Sequence, residues 1–240
     1  MSYFLCEQRL EVGQTFTFSG PDAVHLLGAR RARPGEQFEV QDAAGQRFTA
    51  ELVQAARRDA QVRVLAPCPL PPPPTRWVRL WQGAVKDKAA EWIVQKCTEL
   101  GVAEIGFFPA QHSSIARRGG EKALLSRWER IAWEACKQSG RPAPPRLMHA
   151  DSLQAVLKEA PTGEVRWLCH PGAPAQPPGR ALAALPATGA ITVLIGPEGG
   201  LHDEEAAWAR EQGFVQIHLG GTILRAETAA VSAATLALLG

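Results

Sequence analysis

Paired cysteines, long apolar runs and phosphate-binding glycine signatures are all missing from this 240-residue chain, and each absence removes a class of function. The five cysteines (Cys6, Cys68, Cys97, Cys136, Cys169) are odd in number and widely scattered, and none stands in a C-x-x-C pair. That spacing offers neither a zinc site nor a disulfide framework; reduced thiols in a cytoplasmic protein are the simplest reading, with no metal implied. No apolar stretch approaches the roughly 20 residues that span a bilayer. The first ten residues also lack a basic segment leading into an apolar one, so neither membrane insertion nor secretion is expected. The pattern G-x-x-x-x-G-K-[ST] is absent and G-x-G-x-x-G follows no expected strand, which argues against nucleoside-triphosphate and dinucleotide chemistry.

What is present is an uneven charge. The net formal charge is only +2, yet residues 1–74 carry 8 basic and 8 acidic side chains, residues 75–150 carry 13 and 7, and residues 151–240 carry 5 and 9. A local positive field in the middle segment suits a polyanion, although solvated helix faces produce similar counts.

The clearest boundary is Pro67-Cys68-Pro69-Leu70-Pro71-Pro72-Pro73-Pro74, where successive prolines favour an extended spacer. It predicts two domains, residues 1–70 and 75–240. Before it, short period-two runs at Thr15–Phe18, Gln37–Val40, Arg47–Val53 and Ala60–Val64 are separated by turns at Arg33-Pro34-Gly35 and Asp42–Gly45, the pattern of a small β-rich, barrel-like domain. After it, long helical periods alternate with short apolar runs, as in a parallel α/β sheet. Helices are expected over Lys86–Leu100, Glu121–Gln138 and Asp203–Gln212, with Gly101 ending the first and Gly140 and Pro142 the second. Buried strands are expected at Ile105–Phe108, Val165–Cys169, Ile191–Ile195 and Val215–Leu219. Thr228–Leu239 is apolar on nearly every side and, as a helix, should be buried in the fold or against another subunit.

Two glycine-bearing loops follow expected strands. Ile195-Gly196-Pro197-Glu198-Gly199-Gly200-Leu201 lets backbone groups approach a ligand, or is a tight structural turn. In Leu219–Ala229, Gly220 and Gly221 expose backbone, Ile223 and Leu224 can wall a ring, and Arg225 and Glu227 set opposite charges at a helix start. An ion pair for Arg225 and a helix-dipole contact for Glu227 are the plainer alternatives. Arg130, Lys137, Gln138 and Arg141, and separately Arg30, Arg31 and Arg33, could hold phosphates or simply be solvated.

Taken together, the blocks Gln95–Val102, Ala135–Arg141, Ile195–Leu201 and Leu219–Ala229 resemble the bacterial small-subunit rRNA uridine-N3 methyltransferase family, RsmE, of the SPOUT superfamily. The resemblance implies a PUA-like RNA-binding barrel followed by an α/β domain with a deep trefoil knot over roughly residues 191–240, a rare exception to unknotted topology. It implies a homodimer that uses S-adenosyl-L-methionine, held by Leu168, Cys169 and His170, by Ile195 to Gly200, and by Leu219, Gly220, Ile223 and Leu224. It implies a target uridine near the 3′ end of 16S rRNA, in the decoding region of an assembled small ribosomal subunit. Arg225 and Glu227 are then the expected catalytic pair, and Arg30, Arg31, Arg33, Lys96, Arg130, Lys137, Gln138 and Arg141 the expected RNA contacts. The chain departs from the family at Ser2-Tyr3-Phe4, where an arginine commonly stands, at Ala29-Arg30, where the family carries more apolar bulk, and at His202, where Ser or Thr is usual and the next helix should start from Asp203. A non-catalytic RNA-binding or ribosome-assembly protein, or a SPOUT enzyme for tRNA or another rRNA position, are the competing functions.

Overall fold

A computed structural model describes residues 3–113, 121–159 and 163–240. The chain forms two compact units, one of residues 1–72 with Cys136–Ala143, the other of residues 73–135 with 144–240. The boundary between them in sequence falls within the proline run, and the end of the second long helix counts with the first unit. Ser2 lies outside the described residues.

The first unit contains β1 (Phe4–Leu5), β2 (Thr15–Phe18), α1 (Pro21–Gly28), β3 (Gln37–Gln41), β4 (Arg47–Ala55) and β5 (Ala60–Cys68). Its sheet runs β1-β3-β4-β5-β2, with β1 parallel to β3 and the other pairs antiparallel. Period-two patterning becomes burial directly: Phe16 and Phe18 point into the core while Thr15 and Thr17 face out. The rings of Phe4 and Phe38 meet edge to face at 5.6 Å and 89°. Asp42 makes the expected turn, its carboxylate accepting from the amides of Ala44 (2.9 Å) and Gln46 (2.8 Å). β5 continues through Pro67 and Cys68, two residues into the expected spacer. Tyr3, at one of the departures, is buried under the Arg47 guanidinium, 3.8 Å from the ring centroid, and donates its hydroxyl to the Arg141 carbonyl at 2.7 Å.

The second unit contains β6 (Arg76–Gly83), α2 (Asp87–Leu100), β7 (Glu104–Phe108), α3 (Glu121–Ser139), β8 (Arg146–His149), α4 (Leu153–Glu159), β9 (Val165–Cys169), α5 (Pro178–Ala183), β10 (Gly189–Ile195), α6 (Asp203–Glu211), β11 (Val215–Ile217) and α7 (Ala226–Leu239). Its six-stranded sheet has the order β11-β9-β10-β6-β7-β8 with every pair parallel. A parallel sheet must be covered on both faces, and alternate residues of each strand do this. Leu80, Phe107, Trp167, Val193 and Ile195 join a core with α2, α3 and α7, while Trp81, Phe108, Leu168 and Leu194 join one with α4 and α6. Gly106 is required by this packing: a Cβ there would lie 2.2 Å from the indole of Trp81, its register partner on β6.

Gly101 adopts the left-handed conformation (φ 101°) and closes α2, as expected. Gly140 (φ 82°) follows α3. α7 buries Ala226, Ala230, Ala233, Ala234, Ala237 and Leu238, whose small side chains let it lie close to its neighbours, and leaves Leu239 exposed. At the amino ends of the strands Arg79 pairs with Glu104 and, at 3.3 Å, with Glu164, which also accepts from the Thr192 hydroxyl at 2.7 Å. Those charges satisfy one another and leave the carboxyl edge for other work.

Candidate active site

The three loops singled out in the sequence all leave the same edge, because β11, β9 and β10 are consecutive in the sheet and parallel. Beyond β10 the next strand is β6, the first of the unit. The chain turns one way from β6 through β7 and β8 and the other way to β10, so the β6–β10 boundary is a topological switch point, where open α/β sheets bind ligands.

Leu168 and Cys169 end β9 as buried apolar wall, and His170 follows, its amide donating to the Ile217 carbonyl at 3.2 Å. Burial pushes the Cys169 thiol up to about 12, so it packs as a neutral group, not a nucleophile. Burial also lowers the His170 pKa, against a smaller upward pull from Asp203.

The loop after β10 is fastened on several sides. Ile195, Gly196 and Pro197 are buried; the fully buried Gln82 amide donates to the Gly196 carbonyl at 2.6 Å. Pro197 lies against Gly83, where a Cβ would come within 2.5 Å of the proline ring. Glu198 is exposed, and its carboxylate accepts from the Lys86 amide at 3.0 Å, just ahead of α2. Gly199 passes His112 so closely that a Cβ would sit 2.9 Å from the histidine Cβ. Gly200 turns the chain at φ 76°, its amide returning to the Pro197 carbonyl at 2.9 Å. His202 then caps α6, which starts at Asp203: its Nδ1 accepts from the Glu204 amide at 3.4 Å, and Glu205 accepts from the His202 amide at 2.9 Å. The histidine thus does the work of the usual Ser or Thr. Glu205 also accepts from the Gln111 amide at 2.9 Å, joining this loop to the one after β7.

The loop after β11 is the opposite case. Leu219 and Leu224 are half-buried, Gly220 sits at φ 132°, and Ile223 is 89% exposed. Among the described residues, the amides of Gly221, Thr222, Ile223 and Leu224 donate to no acceptor. Arg225 is the N-cap residue of α7 and Glu227 lies in its first turn. Both line an open cleft of about 790 Å³ with Lys86, Lys88, Trp92, Glu198, Ile223 and Leu224. Arg225 has no ion-pair partner among the described residues, and Glu227 is placed to favour the α7 dipole.

Sequence reasoning passed over Gln82, Lys86, Lys88 and Trp92 as site residues. Lys86 was visible only as a helix start, and the cleft that joins it to Arg225 is closed by residues more than a hundred positions apart.

The expected RNA contacts divide. Arg30, Arg31 and Arg33 are exposed, with Arg31 at φ 55° and the Arg30 guanidinium over Phe4 at 5.9 Å. Arg130 and Gln138 are exposed. Lys96 pairs with Glu99 at 2.8 Å, and Lys137 pairs with Asp22 at 2.9 Å with both side chains largely covered. Burial lowers the Arg141 pKa, the Cys136 and Tyr3 groups opposing it. Among the described residues no His, Cys, Asp and Glu cluster suits a metal ion, and no helix is long and apolar enough to cross a membrane.

The RNA methyltransferase domain family matches residues 71–238, nearly the whole second unit. The ribosomal RNA small subunit methyltransferase E of Bacillus subtilis (strain 168) is 30% identical, covering 94% of this chain and 90% of its own length. The chain belongs to this small-subunit methyltransferase family. A Synechocystis member is 32% identical over 93% of this chain and 72% of its own. Family likeness extends to three dimensions: a putative methyltransferase from Legionella pneumophila, solved with bound SAM, superimposes with a TM-score of 0.84 at 27% identity, covering 98% of this chain and 95% of that one. The Neisseria gonorrhoeae methyltransferase E bound to S-adenosyl methionine gives 0.82 at 28% identity with the same coverage.

Proposed function

We propose that this family member transfers the methyl group of S-adenosyl-L-methionine to small-subunit ribosomal RNA, at N3 of a uridine in the decoding region near the 3′ end of 16S rRNA. The observation that carries the reading is the convergence of three loops from adjacent parallel strands on one edge, next to a cleft holding Arg225 and Glu227. The chain acts as a cytoplasmic homodimer on an assembled small subunit. Residues 191–240 form a trefoil knot, and the first unit is a PUA-like barrel presenting Arg30, Arg31 and Arg33 to RNA.

The residues present fit this cofactor. Its adenosine has no phosphate, so it asks for apolar walls and backbone partners, not a cationic nest. Leu168, Ile195, Leu219 and Leu224 supply the walls, and the uncommitted amides of Gly221 to Leu224 supply donors. The buried Gln82 Oε1, without a partner among the described residues, is a further acceptor beside Gly196. When bound, the cofactor supplies an electrophilic methyl group.

The chain's own residues handle the uracil. N3 becomes nucleophilic as its proton leaves and negative charge spreads to the flanking carbonyl oxygens. Arg225, permanently charged and without an ion-pair partner among the described residues, stabilises that charge with forked donors. Glu227 accepts the proton or orients Arg225. Holding the base at the cleft supplies the orientation that solution lacks.

Incubating the protein with methyl-labelled S-adenosylmethionine and small subunits lacking the modification, followed by nucleoside mass analysis, tests the reading. Label in 3-methyluridine is the expected result. Cofactor binding without transfer would leave a ribosome-assembly role, and label in tRNA or another nucleoside would replace the substrate.

A further inference from the structure

The segment that leaves β9 is tied back to β11 at both ends by its backbone. The His170 amide donates to the Ile217 carbonyl at 3.2 Å, the Gln176 amide to the Gln216 carbonyl at 2.9 Å, and the His218 amide to the Gln176 carbonyl at 3.0 Å. The stretch between is held by one side chain. Gln216, on β11 and 3% exposed, donates from its Nε2 to the carbonyls of His170 (3.2 Å), Pro171 (3.3 Å) and Gly172 (3.2 Å), while its Oε1 accepts from the Arg210 guanidinium of α6 at 2.8 Å. Both ends of the amide agree on its orientation: a guanidinium has no acceptor to offer the NH2 group, and three carbonyls have no donor to offer the oxygen.

A carbonyl and the N–H of the same trans peptide point in opposite directions. Holding the Pro171 and Gly172 carbonyls toward Gln216 therefore turns the amides of Gly172 and Ala173 away from it, and among the described residues those two amides donate to no acceptor. Gly172 takes the bend at φ 86°. Pro171, Gly172, Ala173 and Pro174 are all exposed, so little apolar burial fixes the path of this turn and the polar anchor decides it. Gln216 is also the register partner of Leu168, which places the anchor on the same rung as the apolar wall at the end of β9.

We propose that Gln216, oriented by Arg210, is a positioning residue for the cofactor site: it sets the course of the turn at residues 170–172, and with it the direction of the uncommitted Gly172 and Ala173 amides. The inference rests on the methyltransferase reading, which puts Leu168 to His170 in the S-adenosylmethionine pocket. Gln216 touches no ligand itself and acts through the loop it grips. The plainer role for the same residue is to fasten α6 to the sheet through Arg210 and nothing more.

Three variants separate the two roles. Gln216→Glu keeps the size of the side chain and turns the Arg210 contact into an ion pair, but it loses both donors and sets a negative oxygen against the loop carbonyls. Gln216→Met loses the contacts on both sides, and Arg210→Met leaves the amide on the loop. Cofactor affinity by calorimetry, KM and kcat for transfer to small subunits, and amide exchange at Ala175 and Gln176 in ligand-free protein are measured for each. Gln216→Glu and Gln216→Met should each lose about tenfold in S-adenosylmethionine affinity, the scale of one net hydrogen bond, with the cofactor KM raised to match, the small-subunit KM unchanged and kcat within about twofold of wild type. Ala175 and Gln176 should exchange faster in both. Arg210→Met should lose no more than about threefold in affinity. Cofactor affinity like that of wild type in folded Gln216→Glu would overturn the proposal, and so would equal losses in Gln216→Met and Arg210→Met. Wild-type protein that binds no S-adenosylmethionine, while exchange at Ala175 and Gln176 still responds to Gln216→Glu, would fail the methyltransferase reading and not the anchoring of the loop.

Discussion

The carboxylate of Glu198 accepts a hydrogen bond from the backbone amide of Lys86 at 3.0 Å, joining the glycine loop after β10 to the start of α2 across 112 positions of sequence. A carboxylate ahead of a helix also complements its positive end. Glu198 therefore holds the loop and the cleft in register, and it is engaged before any ligand arrives.

Glu198→Ala should cut methyl transfer about tenfold, by misplacing Lys86 and the loop together. Glu198→Gln keeps an acceptor oxygen and should recover most of that loss. Single-turnover rates of the two variants check this, and equal rates would leave the hydrogen bond without a role.

Gly83→Ala places a methyl group 2.5 Å from Pro197 and can be accommodated only by moving the loop. The expected cost is on the order of 2 kcal/mol, seen in denaturant unfolding, together with weaker cofactor binding by calorimetry. Gly28→Ala, with open space around the same point, serves as the control and should bind normally.

Arg225→Ala should abolish methylation while S-adenosylmethionine still binds, because the side chain faces the cleft from the N-cap position of α7 and the loop amides are left in place. Arg225→Lys keeps the charge but loses the forked donors and should recover only part of the rate. Unchanged turnover in Arg225→Ala would remove this residue from the chemistry.

Alkaline pH should destabilise the second unit through its buried thiols. Burial pushes Cys97 and Cys169 up to about 12 from an ordinary 9. Between those values the unfolded chain has released these protons and the folded chain has not. Unfolding is thus favoured progressively as pH rises through that window, and this contribution to stability is fully present below it. The denaturant midpoint should fall from about pH 9 upward, and Cys169→Ala should flatten the slope.

Much of this was legible in local pattern. β9 and β2 have the bounds their apolar periods predicted, and α2, α3 and α6 start or stop within a residue of their glycine and capping signals. β6 was hidden because Arg76 and Arg79 interrupt its apolar run; Arg79 is tolerated in a central strand only because Glu104 and Glu164, from distant segments, meet it. α1 was not anticipated: it is short, Gly20 precedes it, and Pro21 stands in its first turn, where the missing donor costs nothing. The glycine loops were visible as candidates, whereas the cleft was not. Glycines near one another in sequence mark a loop, but Lys86, Trp92 and Arg225 come together only through the order in which the strands are laid.

The uncommitted amides of Gly221 to Leu224 have a consequence for how such a site changes over generations. A ligand gripped by main-chain donors is indifferent to most side chains at those positions, provided the bend at Gly220 is kept. Thr222, which is exposed and lies outside the lining of the cleft, is then free to drift while the grip persists. Sequence divergence at this loop is a poor measure of lost activity, and a relative with altered letters there can still hold the same small molecule.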